Sequence, residues 1–117
     1  MHTEILPLFP LKLIVFPNEK INMHIFEDRY KQLINECMNE NKTFGIPTFI
    51  NNKIATYGTE VRVVAVSKRY EDGKMDVSVR AERVFVLKDF WQQQENKLYP
   101  AGEVQFVELI EDSDKRL

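Results

Sequence analysis

Between Ile21 and Met38 the hydrophobic period of this chain changes from two to about 3.6 with no loop between the two regimes. Ile21, Met23 and Ile25 alternate with Asn22 and His24, the pattern of a half-buried strand. From Phe26 the apolar residues recur at Tyr30, Leu33, Ile34, Cys37 and Met38, which lays one stripe along a helix. Glu27 and Asp28 stand where that helix starts and face the positive end of its macrodipole, while Asn39, Asn41 and Gly45 crowd its far end. A strand running straight into a helix at about 27–41 is the fixed point around which the remaining segments must pack.

On its N-terminal side, Ile5 to Phe16 is very apolar but carries Pro7 and Pro10, which excludes a helix. Proline donates nothing to a ladder, so the segment reads as an edge or bulged strand followed by a short extended run. Pro17-Asn18 then turns the chain into Ile21. Phe44 to Ile50, with Pro47, is a second proline-marked strand, closed by an Asn51-Asn52-Lys53 turn. A longer strand is predicted from Tyr57, with Val61, Val63 and Ala65 on one face and Arg62, Val64 and Val66 on the other, as in a strand covered on both sides near its middle. Glu71-Asp72-Gly73-Lys74 is the clearest turn, since Asp-Gly between two β-rich runs signals a tight hairpin. The return strand alternates Met75, Val77, Val79 and Ala81 against Asp76, Ser78, Arg80 and Glu82. The alternation fails at Arg83, which predicts a bulge near Ala81 to Arg83. A polar connection leads to a last strand over Leu98 to Ile110, with Val104, Phe106 and Glu108 on one face, and the charged tail from Glu111 is expected to fray. The sum is an α+β chain of about six strands and one main helix, curled into a small closed or half-closed barrel.

A chain of 117 residues is expected to form one domain, here residues 1–117. Its 16 basic and 18 acidic residues leave no net field to draw in nucleic acid or an anionic membrane. Lys68, Arg69, Lys74, Arg80 and Arg83 could form a local basic stripe with Tyr70 to stack on a base, but Glu71, Asp72, Asp76 and Glu82 in the same hairpin offset it, so nucleic acid is disfavoured. No apolar run approaches the roughly 20 residues that span a bilayer, and the N-terminus lacks the features of a signal peptide. With Cys37 as the lone cysteine, the expected setting is the cytoplasm.

The residues offer no catalytic constellation. Gly45, Gly58, Gly73 and Gly102 are too far apart for a phosphate-cradling loop. His2, His24 and Cys37 are the whole supply of imidazole and thiol, so no metal site is expected, and Cys37 falls on the apolar stripe of the helix as a small buried hydrophobe. Ser67, Ser78 and Ser113 lack a glycine-flanked elbow. The expectation is a protein that is not an enzyme and takes no cofactor. Aromatic residues at strand ends and in the last connection, Tyr70, Phe90, Trp91 and Tyr99, remain as candidate partner-binding residues, with capping of the barrel ends as the alternative role.

The order of motifs resembles the N-terminal domain of the ATP-dependent Lon proteases and their stand-alone relatives. The similarity rests on Leu6-Pro7-Leu8-Phe9-Pro10-Leu11, Val15-Phe16-Pro17-Asn18 and His24-Ile25-Phe26-Glu27-Asp28-Arg29-Tyr30, followed by Phe44-Gly45-Ile46, Gly58-Thr59, Asp72-Gly73, Arg83-Val84-Phe85 and Tyr99-Pro100. Two departures stand out: Asn18 occupies the usual turn glycine, and Arg80, Ala81 and Glu82 lie where a glycine commonly precedes the Arg83 position. The resemblance implies a PUA-like pseudo-barrel, the β lobe alone, without the helical lobe, the ATPase phosphate loop or the Ser-Lys protease dyad of the full-length proteases; the charged end at Leu117 reads as that of a fragment. It further implies a non-catalytic module that holds extended or unfolded polypeptide or a protein partner. Self-association and RNA binding, the latter known from PUA-like folds, are the rival roles. The proline-marked segments supply a mechanism, since an open sheet edge accepts an extended chain through main-chain hydrogen bonds.

Overall fold

The computed structural model describes residues 2–107. In chain order its elements are β1 (Glu4–Pro7), β2 (Lys20–Ile25), α1 (Asp28–Glu40), β3 (Phe44–Ile50), β4 (Lys53–Arg69), β5 (Met75–Trp91) and β6 (Ala101–Phe106). The strands form one antiparallel sheet in the order β1-β6-β5-β4-β3, with β2 paired to β5 off this path. The expected α+β, mainly β architecture with a single long helix is borne out. Among the described residues no helix is long and apolar enough to cross a membrane.

The β4–β5 hairpin is the trunk. Its turn is tied by Tyr70 N donating to Lys74 O at 2.9 Å and Gly73 N to Tyr70 O at 3.0 Å, with Gly73 at the positive φ of 91° that glycine tolerates. Asp72 Oδ1 accepts from Lys74 N at 3.1 Å. The pairing of Thr59 with Val84 and of Val61 with Ala81 sets Glu82 and Arg83 together opposite Glu60. This is the expected bulge, formed without a glycine. It also reverses the parity of β5: Met75, Val77, Val79 and Ala81 belong to the main core, whereas Phe85 beyond it packs with Leu6, Leu8 and Val104 in a second cluster. Further register shifts at Val64 and Ser67 bend the other strand of the hairpin.

The two proline-marked segments do not form open edges, contrary to expectation. They hydrogen-bond to each other: Phe9 N donates to Gly45 O at 2.8 Å, Leu11 N to Pro47 O at 3.2 Å and Phe49 N to Leu11 O at 2.7 Å. Leu8 and Leu11 thereby bridge β3 in parallel, and Leu8 N also reaches Pro100 O at 2.9 Å, so the run after β1 closes the sheet on itself. Proline at position 7, 10 or 47 costs little here, because each neighbouring residue carries the main-chain bond instead.

Three boundaries differ from expectation. Strand β4 begins at Lys53 rather than Tyr57, because Asn51 and Asn52 at φ 52° and 63° make so tight a turn that Ile50 pairs directly with Lys53. Strand β6 begins at Ala101, because Asn96 at φ 65° and the Gln94 N to Tyr99 O bond fold residues 94–99 into a turn; the expected continuation over Glu108 to Ile110 and the charged tail lie outside the described residues. Phe26 is not on the helix stripe. Glu27, the N-cap, is extended at φ −87° and ψ 142°, so Phe26 keeps the parity of His24 and Asn22 and points to solvent, 58% exposed. The stripe proper is Tyr30, Leu33, Ile34 and Cys37, all buried against the sheet. Asn41 ends the helix in the left-handed conformation at φ 54°, and Lys42 N caps Cys37 O at 2.9 Å.

Candidate functional site

Two concavities flank the start of α1, the first mainly apolar and the second of mixed lining. The first, about 400 Å³, lies between the Phe9–Leu13 run, β2 and the helix N-terminus, with Leu11, Leu13, Ile21, Met23 and Phe26 on its walls. The second, about 690 Å³, has Phe49, Ile54, Phe90, Leu98 and Pro100 on its walls beside the polar Asn52, Gln92 and Gln93. Pro10, Arg29 and Tyr30 line both and form the saddle between them. Local sequence explains the saddle. Asp28 opens the helix, which puts Arg29 and Tyr30 on its first turn; Tyr30 turns inward to stack on Phe9 at 3.7 Å between ring centroids, and the Arg29 guanidinium lies over the Tyr30 ring at 4.9 Å. Burial raises the Tyr30 hydroxyl above the ordinary phenol value, which keeps it neutral. The rims carry Leu13, Phe26 and Leu98, exposed by 42%, 58% and 52%, which sets apolar side chains at the mouth of each hollow.

The four aromatic residues singled out from sequence are dispersed. Phe90 lines the second concavity. Trp91, the next residue along β5, is 38% exposed and lines neither concavity. Tyr70 donates its hydroxyl to Asp76 Oδ2 at 2.7 Å and sets its ring edge-on to His24, a residue of the first concavity's rim. Tyr99 is buried and its hydroxyl is spent on the Glu36 carboxylate. Sequence reasoning passed over Phe26, Leu13, Phe49 and Leu98. Phe26 carried no signal, since an apolar side chain on the parity of Asn22 and His24 breaks the alternation of β2; the others are brought together only by barrel closure.

A third, polar cavity of about 490 Å³ lies between α1, β1 and the bulge. Its carboxylates are already engaged. Glu60 accepts from Thr43 Oγ1 at 2.7 Å and from Arg83 Nε and Nη2 at 2.7 and 3.1 Å. Burial alone would raise its carboxyl; the Arg83 and Thr43 bonds outweigh that and hold it below the usual carboxylate range. Glu36 behaves alike, burial opposing the bonds from Tyr99 and Lys97 that lower it. Burial pushes the Cys37 thiol up to about 12, so it is neither nucleophile nor ligand at neutral pH. Among the described residues no three His, Cys, Asp or Glu are grouped to hold a metal ion. The basic residues of the hairpin are drawn in different directions: Arg83 to Glu60, Lys74 to Asp72 at 3.1 Å, and Lys68 over the Tyr70 ring.

The model of the ATP-dependent protease La (LON) substrate-binding domain matches residues 5–117. Among solved structures, a Lon N-terminal domain protein from Xanthomonas campestris superposes with a TM-score of 0.80 at 31% identity, over 94% of this chain and 63% of that one. The N-terminal domain of a Mycobacterium avium complex Lon protease superposes with a TM-score of 0.73 at 18% identity, over 96% of this chain and 59% of that one, a likeness of fold. This chain therefore spans less than two thirds of either solved chain. A comparison with curated proteins gave no match. The motif order read from the sequence, the closed β lobe and the family match agree, and the chain belongs to the family of ATP-dependent protease La (LON) substrate-binding domains.

Proposed function

We propose that this domain is a non-catalytic recognition module that holds extended or partly unfolded polypeptide along the groove made by the two concavities and their Arg29–Tyr30 saddle. The observation that carries the reading is that two hollows share the lining residues Pro10, Arg29 and Tyr30 and expose Leu13, Phe26 and Leu98 at their rims. The substrate-binding description of the family supports it. Binding by an open edge strand is not the mechanism at the proline-marked segments, whose main-chain groups bond to each other; side chains entering the hollows supply the affinity instead. Each hollow is large enough for one or two apolar side chains, and full burial of one contributes roughly 1.5–3 kcal/mol. Such contacts are tolerant of sequence, which suits a module that meets many chains.

The test is fluorescence anisotropy of a labelled, reduced and alkylated polypeptide that cannot fold, titrated with the full chain beside a labelled single-stranded RNA at low and high salt. Saturable polypeptide binding that survives salt is the expected result. RNA binding that falls steeply with salt, with no polypeptide binding, would replace this reading by a nucleic-acid one. Sedimentation of the free chain over a range of concentrations reports whether the groove is instead filled by a second copy.

A further inference from the structure

We infer that Arg29 and Tyr30 form a carboxylate receptor at the saddle, so that the groove selects polypeptide segments in which an acidic side chain stands between two apolar ones. The inference rests on the groove being the polypeptide site and names the chemistry that site prefers. Among the described residues Arg29 is the one charged residue lining the second concavity, and in the first it is joined only by Glu27 and His24. Its guanidinium is half exposed, and its Nε lies 3.5 Å from Glu27 Oε1, longer than a well-made charged hydrogen bond. Among the described residues nothing hydrogen-bonds to its two terminal nitrogens, which leaves the planar fork free to take a carboxylate through two parallel bonds.

The receptor is preorganised. The guanidinium is held over Tyr30, and Tyr30 is fixed by its stack on Phe9 and by burial to 6% exposure. The Tyr30 hydroxyl makes no hydrogen bond among the described residues, and Tyr30 lines both hollows together with Arg29, which leaves it available as a neutral donor. Glu27, which lines the first hollow beside Arg29, sets the limit on ligand charge. A single carboxylate competes with Glu27 for the fork, whereas a doubly charged phosphate would meet stronger repulsion from it. The apolar walls of the hollows on either side fix the flanks. In an extended chain alternate residues face the same way, so the preferred segment places apolar side chains two residues before and two residues after the acid.

Three labelled peptides, identical except for Glu, Gln or Lys at the central position of an apolar-x-Glu-x-apolar segment, test this against the full chain by anisotropy. The Glu peptide is expected to bind about tenfold more tightly than the Gln peptide, and the Lys peptide more weakly still. Arg29→Gln should bring the ratio of Glu-peptide to Gln-peptide affinity to about one, whatever loss is common to both peptides, and Tyr30→Phe should narrow that ratio by about threefold while keeping the Phe9 stack. Equal binding of all three peptides would overturn the receptor and leave the groove reading standing. Binding of none would overturn both. A preference for Glu that persists in Arg29→Gln would place the selecting charge elsewhere and so overturn the assignment.

Discussion

Arg83 lies across the Glu60 carboxylate with two nitrogens bonded to its two oxygens, and its guanidinium rests 3.6 Å above the Phe106 ring. Glu60 is only 3% exposed, while Arg83 reaches it from the bulge directly opposite. One cation thus neutralises the buried carboxylate, pins the parity reversal of β5 and covers the edge of the second core.

Replacing Arg83 with Gln should cost about 2–3 kcal/mol at pH 7, less than the loss of a fully buried pair because the arginine side is half exposed. The pH dependence follows from the sign of the shift. Glu60 is held below its unfolded carboxyl value, so its contribution is present above that value and is lost as pH falls through the folded one. The deficit of Arg83→Gln should therefore be largest near neutrality and shrink towards pH 3. Urea unfolding at both pH values measures it; an equal deficit at each would mean that the pair does not set the stability of the bulge.

Tyr99→Phe removes the hydroxyl that reaches Glu36 and leaves Lys97 alone to hold that carboxylate at 3.0 Å. With Leu98 N bonded to Gln32 Oε1 at 2.7 Å, this clasp fixes the turn before β6 against α1. The expected loss is about 1–2 kcal/mol, read as a Tm lower by several degrees in a thermal scan.

A methyl group added at Gly58 would sit 2.5 Å from Phe85 Cζ and 2.9 Å from Ile46 O. Gly58→Ala should destabilise the chain by about 2 kcal/mol or more, and combination with Phe85→Leu should recover part of the loss. A double-mutant cycle in urea reports the coupling. Strict additivity would show that the clash is relieved by backbone movement instead.

Cys37 should resist alkylation at pH 8 in the folded chain. It is buried in the helix stripe, and burial, with Glu36 beside it, pushes its thiol up to about 12. Mass spectrometry of thiol labelling across a urea series should show modification following the unfolding transition, not preceding it.

Local physics was legible in the sequence where the signal was local. The Asp72-Gly73 turn, the inward set Met75, Val77, Val79 and Ala81, and the bulge at Arg83 all follow from period and turn chemistry. Asn18 shows the same from another side: the expected turn glycine is absent, yet asparagine takes φ 71°, as do four other asparagines at left-handed positions between φ 52° and 65°. Pairing across the chain was not legible. Pro7, Pro10 and Pro47 correctly marked irregular ladders, but only the closed sheet reveals that Leu8 to Leu11 lie against β3. The groove was missed for that reason. Leu13, Phe49 and Leu98 belong to three separate segments with no common period, and Phe26 was assigned to the helix because its apolar spacing fits one, although the extended backbone of the strand runs through it to Glu27.

The most direct measurement is the affinity of the alkylated polypeptide for the full chain with Phe26→Ser and Leu98→Ser together, against Val64→Ser, an exposed apolar residue that lines neither hollow. All three substitutions are at exposed positions, so stability should change little. If the groove holds the polypeptide, the paired variant should bind about tenfold more weakly or worse, while Val64→Ser stays within about twofold of the parent chain. Equal affinity for the parent and the paired variant would contradict the account and move the binding surface away from the Arg29–Tyr30 saddle.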